Sequence, residues 1–235
     1  ATDYYEKSLQ LTRRNGDIGP IYAELVARDV PVEIVGLGGL LGLPEVRDVV
    51  GTLRVLDDVT ANPELVRLLS GPRWGIGPRD LALLGRRARD LARDRAMDDA
   101  VTDTLLAALE GAVTEIDPTE VISLLDAVAQ PGDLAYSKEG RQRLVQFAAE
   151  LAELRPHAAE PVLDLTRRVI ATLGLDVELL ATPHFARTGR RNQLLVFVDA
   201  VADYVDVDGD ASLGGLLAYM QAEEDHGNGL DRATP

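Results

Sequence analysis

The sequence has no cysteine, which excludes disulfide bonds and thiolate metal sites. It also has no apolar run near the roughly 18 residues that a membrane-spanning helix needs. Its first residues lack the basic-then-apolar layout of a secretory signal. From these absences we expect a cytoplasmic protein without a membrane partner.

Residue patterns for nucleotide hydrolysis and metal binding are missing as well. The sequence contains no Gly-x-x-x-x-Gly-Lys-Ser/Thr loop and no Asp-Glu pair after a strand. The chain therefore lacks the residues that would bind Mg-ATP, and we expect no ATPase activity from it alone. The histidines, at positions 157, 184 and 226, are too far apart in sequence to give a metal-ligand spacing. We predict no catalytic residue, no metal site and no cofactor bound by this chain.

Charge is distributed unevenly along the chain. The formal net charge of −15 argues against a dedicated nucleic-acid coat protein, because phosphate contacts need clustered lysine and arginine. Between Arg73 and Arg95, however, seven arginines stand against three aspartates, which gives a local net charge of +4. One basic segment therefore lies within an otherwise acidic protein.

Helical periodicity dominates the sequence and predicts a mainly α fold, a multi-helix bundle preceded by a small, incomplete βαβ element. That element has predicted strands at residues 9–12 and 32–35, with a helix at residues 17–28 between them. Two strands do not make a stable sheet. We therefore expect further strands from a larger parent protein to complete it.

Eight helices are predicted after the βαβ element, on the basis of apolar spacing and of start signals. They cover residues 44–56, 63–69 (capped by Asn62), a long arginine-rich stretch from 78, 117–128, 137–154, 160–173, 192–205 and 213–224. Arg187, Arg190 and Arg191 surround Gly189 in a predicted loop, which is either merely solvated or a second contact to a phosphate backbone. The tail from residue 225 is predicted to be a truncated loop.

The most informative segment is the glycine- and proline-rich turn at residues 71–79, between two predicted helices. Here Pro78 suits the first position of the second helix, and the N–H groups of Gly75 and Gly77 would face a phosphate at its positive end. Ile76 would point inward. This layout is typical of helix–hairpin–helix elements, which grip a DNA backbone without reading bases. The predicted DNA-contacting residues are Arg73, Gly75, Ile76, Gly77, Arg79 and Arg86.

A simpler interpretation of the same segment stays open. Gly-x-Gly can merely permit a tight corner between two helices, and the arginines can form a solvated face. The turn alone slightly favours this simpler interpretation. The basic segment that follows the turn favours a phosphate contact, so the two interpretations have about equal support.

The order of several motifs resembles that of UvrD/Rep-type superfamily 1 DNA helicases. The Gly75-Ile76-Gly77 turn before a basic helix resembles their second accessory domain. Upstream, residues 31–36 with Gly38 and Gly39 resemble a strand followed by a Gly-Gly pair in these helicases. Two further parts complete the resemblance. Arg13 and Asn15 lie at a predicted strand end, and Glu45-x-x-Asp48 is followed by Leu53-Arg54 on the same predicted helix.

The resemblance implies a contiguous part of such a helicase. Residues 1–60 would belong to the second motor domain, residues 61–225 to the inserted helical accessory (2B-like) domain, and residues 226–235 to a truncated connecting loop. The short interval between Gly39 and Glu45 departs from the typical family and is more similar to actinobacterial AdnAB-like helicase–nucleases. The family's Thr-x-His-x-x-Lys-Gly segment would be expected just after Pro235.

Two functions are therefore expected as alternatives. The resemblance implies an accessory, regulatory module that engages duplex DNA in repair or recombination, with the remaining motor domains as partners. The parent protein would then use ATP and Mg²⁺. Alternatively, the chain is a protein–protein interaction domain whose acidic helical face docks a partner subunit or a repair factor.

Overall fold

The structure, a computed structural model, describes residues 20–21, 24–25, 28, 30, 37–110, 122–175, 184–209 and 211–229. At residues 98–110, 184–192, 208 and 226–229 it describes the backbone only. These ranges are mainly helical and include no strand, which confirms the mainly α prediction. Both predicted strands, together with Arg13 and Asn15, lie outside the described residues.

Nine α-helices have described bounds. They are α1 (Leu37–Leu40), α2 (Pro44–Asp57), α3 (Asn62–Ser70), α4 (Pro78–Glu110), α5 (Leu124–Ala129), α6 (Lys138–Leu154), α7 (Val162–Thr172), α8 (His184–Asp208) and α9 (Leu213–Gly229). A short 3-10 helix, Arg155–His157, follows α6. In the described ranges, no helix combines the length and apolarity needed to cross a membrane.

The chain divides into two compact units. We call residues 54–155 the central unit, and residues 1–53 with 156–235 the split unit. The boundaries of these units, after residues 53 and 155, are set by contacts within each unit. They differ from the predicted domain boundaries, which lie after residues 60 and 225. The assignment of the parts to helicase domains stays a prediction.

The central unit is built around α3, α4, α5 and α6. Helix α5 packs against the other three helices. Apolar residues at helical spacing line the interior, as with Leu144, Phe147 and Leu151 on α6. The only tryptophan, Trp74, joins this core and meets Phe147 edge-on, with ring centroids 5.2 Å apart.

Two predicted helix starts in the central unit are wrong. The N-cap of α3 is Ala61, and the Asn62 amide instead bonds across the chain to Ile122 O (2.8 Å) and to the N–H of Leu124 (2.9 Å). Helix α5 begins at Leu124 rather than at residue 117, because the side chain of Ser123 caps it. The predicted start signal at residues 117–120 lies outside the described residues.

In the split unit, the predicted helix from Pro44 is confirmed, and Val46, Val49 and Leu53 are fully buried on one face of it. Helix α8 packs against α7 and α1, and α9 packs against α1. The described residues 20, 21, 24 and 25 are helical, as the predicted helix at residues 17–28 requires.

Three predictions near the C-terminal end are wrong. Helix α8 begins at His184, not at Asn192, so Gly189 and its neighbouring arginines at 187, 190 and 191 lie within a helix rather than a loop. Helix α9 continues to Gly229, so the residues from 225 to 229 are also helical. A helix interior can tolerate an isolated glycine, which is why Gly189 did not mark a break.

Candidate nucleic-acid interface

The glycine turn joins α3 to α4, and the buried side chain of Ile76 anchors it to the core of the central unit. Helix α4 begins with Pro78, as the sequence predicts, and α3 ends at Ser70, one residue after its predicted end at Leu69. The side chain of Ile76 is 3% exposed, and its N–H donates to Leu69 O at 2.8 Å. The prediction that Ile76 points inward is therefore confirmed.

The two glycine N–H groups of the turn have different surroundings. The N–H of Gly75 donates to Gly71 O at 2.7 Å, so it cannot serve a phosphate without breaking that bond. The N–H of Gly77 makes no hydrogen bond to the described residues. Gly77 is exposed, and a Cβ added there would meet no atom within 4 Å. Of the two, only Gly77 offers an open donor.

Gly75 has a conformational role instead. Its φ of +54° lies in the left-handed region that favours glycine. Arg143 Nη1 donates to Gly75 O at 2.9 Å and would lie 3.1 Å from an added Cβ. The turn therefore needs glycine at this position for its own shape, whatever approaches it.

Arg73 lies beside the turn in an ion pair and against an aromatic ring. Its Nη2 forms an ion pair with Glu150 Oε1 at 2.8 Å, and its guanidinium lies 5.2 Å from the centre of the Trp74 ring. Burial raises the pKa of Glu150, while the positive charge of Arg73 lowers it by a smaller amount. The burial cost opposes the attraction, so this ion pair stabilises the fold only weakly.

Three arginines of α4 fasten that helix to the chain segment 126–135. Arg79 Nη2 donates to Ala135 O at 3.3 Å, and Arg87 Nε donates to Gln130 O at 2.9 Å. Arg95 forms an ion pair with Asp126. These arginines recur every eight residues. This part of the basic segment is therefore engaged inside the protein.

Three other arginines of α4, which we call the outer row, have no such partner. The side chains of Arg86, Arg89 and Arg93 are exposed and make no hydrogen bond or ion pair with the described residues. Burial raises the pKa of Tyr136, and the charge of Arg86 is one of those that oppose this rise, so Arg86 lies near that hydroxyl. Their spacing of three and four places them on one face of the helix. Asp90 and Asp94 lie nearby in sequence but likewise form no ion pair within the described ranges.

Asp80 fixes the first turn of α4 to Ser137, a role that the sequence alone did not indicate. Asp80, in the first turn, is 5% exposed and accepts hydrogen bonds from the N–H (2.9 Å) and the hydroxyl (2.5 Å) of Ser137. A Cβ added at Gly140 would clash with Asp80 Oδ2. A glycine three residues after a serine cap was the only sequence signal for this close approach.

The remaining motif residues lie elsewhere. Gly38 and Gly39 are in α1, and Glu45 and Asp48 are in α2. The described residues contain no group of three histidine or acidic side chains that could hold a metal ion.

Comparison with known proteins gives no family for this chain. No protein-family model matches it, and no curated protein matches its sequence significantly. The helicase resemblance therefore rests on the motifs quoted above.

Proposed function

We propose that this chain is an accessory, regulatory module of an ATP-dependent DNA helicase in repair or recombination, and that it engages the phosphate backbone of duplex DNA. One observation carries the proposal. Gly77 presents an open N–H at the start of the 33-residue helix α4, and unpartnered arginines follow on the same helix. The Gly77 N–H, the helix dipole and these cations favour an anion, and together they outweigh the single negative charge of Asp80 in the first turn of α4.

The proposed contact is electrostatic and independent of base sequence. A phosphate oxygen accepts from the N–H of Gly77, next to the guanidinium of Arg79. Contacts of this kind fix the orientation of a duplex without reading it. Motor domains outside this chain would bind ATP and Mg²⁺ and pull a single strand, while this module holds the duplex.

Arg73 and Arg79 can contribute although each has a protein partner. The Arg73–Glu150 ion pair is partly exposed, and such pairs contribute at most about 1 kcal/mol. Arg79 uses one of its five N–H groups in a bond of 3.3 Å, which leaves donors for a phosphate. The cost of breaking the Arg73–Glu150 ion pair or the Arg79 hydrogen bond is therefore small.

Fluorescence anisotropy with a short labelled duplex tests the glycine turn directly. Gly77→Ala places a methyl group where the phosphate must approach, and we expect about tenfold weaker binding, the loss of roughly one hydrogen bond to a charged group. Val207→Ala is the control, because Val207 is 84% exposed on α8, outside the basic segment, and this variant should bind as tightly as the wild type. If Gly77→Ala bound as tightly as the wild type, the turn would be only a helix–helix corner.

A protein-docking function is the second candidate, and two observations favour it. The net charge is −15, and Arg73, Arg87 and Arg95 already have partners within the protein. Salt dependence separates the two functions, because counterion release gives DNA binding a steep slope. A module that captures a protein partner and shows no affinity for duplex would support docking.

A further inference from the structure

We propose that the outer row, Arg86, Arg89 and Arg93, forms a second phosphate-binding surface that follows one strand of the duplex along α4. This inference rests on the proposed function and extends it away from the glycine turn. It adds Arg89 and Arg93 to the predicted contacts, and it separates arginines that bind DNA from arginines that hold the fold.

Two sets of arginines on α4 differ in their contacts, and this difference supports the assignment. Arg79, Arg87 and Arg95 point at carbonyl or carboxylate oxygens of the segment 126–135. The members of the outer row are exposed and lack any such acceptor among the described residues. Because these three side chains form no hydrogen bond or ion pair with the described residues, their guanidinium groups are available to a ligand.

The spacing of the outer row matches a nucleic-acid backbone. From Arg86 to Arg93 the helix advances by about 10 Å, at about 1.5 Å per residue. One strand of B-DNA advances about 3.4 Å per phosphate, so the same length covers about three phosphates. Each guanidinium can form two parallel hydrogen bonds with a phosphate.

Electrostatics in the unbound protein favour the same ligand. Arg86 and Arg89 are three residues apart, and Arg89 and Arg93 are four apart, so like charges are neighbours on the helix surface. Asp90 lies four residues after Arg86 and three before Arg93, so it offsets part of this repulsion, although neither Asp90 nor Asp94 forms an ion pair with the row within the described ranges. A polyanion laid along the row removes this repulsion, whereas the acidic remainder of the chain keeps DNA from spreading over other surfaces.

The test compares two triple variants that change the net charge equally. Arg86→Gln, Arg89→Gln and Arg93→Gln remove the outer row. Arg28→Gln, Arg155→Gln and Arg167→Gln remove three exposed arginines elsewhere as the control. Circular dichroism of both variants checks that helix content is kept.

We expect the outer-row variant to lower the slope of log K against log salt by about 2–3 units, since each phosphate that is no longer neutralised removes about 0.9. The control variant should change the slope by less than about 1 unit. Lysine at the same three outer-row positions should keep most of the slope, since it keeps the charge.

The outcomes distinguish this inference from the function on which it rests. If the wild type binds duplex and the outer-row variant binds with an unchanged slope, the outer row is a solvated face and this inference is overturned. If Gly77→Ala weakens binding as well, the proposed function stands without it. If the wild type fails to bind duplex at low salt, both are overturned.

Discussion

Asp80 and Ser137 join the first turn of α4 to the N-terminus of α6, although they are 57 residues apart in sequence. The Asp80 carboxylate accepts from both the N–H and the hydroxyl of Ser137. The Ser137 hydroxyl oxygen in turn accepts from the N–H of Gly140 at 3.0 Å. A negative charge at the start of α6 is favourable, so this contact both caps α6 and fixes the start of α4.

Asp80→Ala should therefore lower the free energy of unfolding by about 2–3 kcal/mol, because it leaves a partly buried N–H and hydroxyl without an acceptor. Urea denaturation measures this. Asp90→Ala is the control, since the side chain of Asp90 forms no ion pair or hydrogen bond with the described residues, and it should change stability by less than about 0.5 kcal/mol. Equal stability of the two variants would contradict a stabilising role for the contact between Asp80 and Ser137.

The two glycines of the turn should respond differently to alanine. Gly75→Ala forces a side chain into the left-handed region and against Arg143, and should cost about 1–2 kcal/mol of stability. Gly77→Ala meets no atom and should cost only about 0.5 kcal/mol, the preference for glycine over alanine before a helix. Thermal or urea unfolding of both variants checks this order. Gly77→Ala is therefore the cleaner test of DNA contact.

The only tryptophan reports on the core beneath the turn. Trp74 is 6% exposed, so its fluorescence emission should be blue-shifted in the folded protein. Phe147→Ala removes its edge-on partner and a fully packed ring, and should cost about 3–5 kcal/mol with a red shift of the emission. Val145→Ala, at a position 56% exposed on the same helix, should leave both emission and stability nearly unchanged.

The chain alone should hydrolyse no ATP, with or without DNA. Its sequence offers no phosphate loop and no acidic pair after a strand to hold Mg²⁺. Single-turnover assays on material free of contaminating helicase measure this. Hydrolysis above a blank without protein would contradict both the prediction and the proposed role as an accessory module.

Local sequence signals predicted much of the helical architecture. Pro44 starts α2, Pro78 starts α4 and Ser137 caps α6, because each of these signals acts on residues within one helical turn of itself. The prediction for Asn62 was wrong since its amide found acceptors and donors about 60 residues away. Such tertiary partners override a local cap preference.

The candidate site was less predictable than the fold for the same reason. Seven arginines in one segment indicate a basic surface, but partners 31 to 77 residues away engage Arg73, Arg79, Arg87 and Arg95. Nothing in the local spacing marks which arginine will find an oxygen. In this segment, the arginine side chains without a hydrogen bond or ion pair to the described residues are therefore those of the outer row. The sequence alone indicated only one of them, Arg86, as a DNA contact.

The salt dependence of duplex binding by the wild type tests the central claim most directly. Anisotropy titrations with two duplexes of unrelated sequence, each at several salt concentrations, give affinity and slope together. We predict equal affinities for both sequences, a Kd of about 10⁻⁴ to 10⁻⁶ M and a slope between about −3 and −5, from the charges of the outer row with Arg73 and Arg79. Absence of binding at low salt, or binding with a flat slope, would contradict the claim and favour a protein partner.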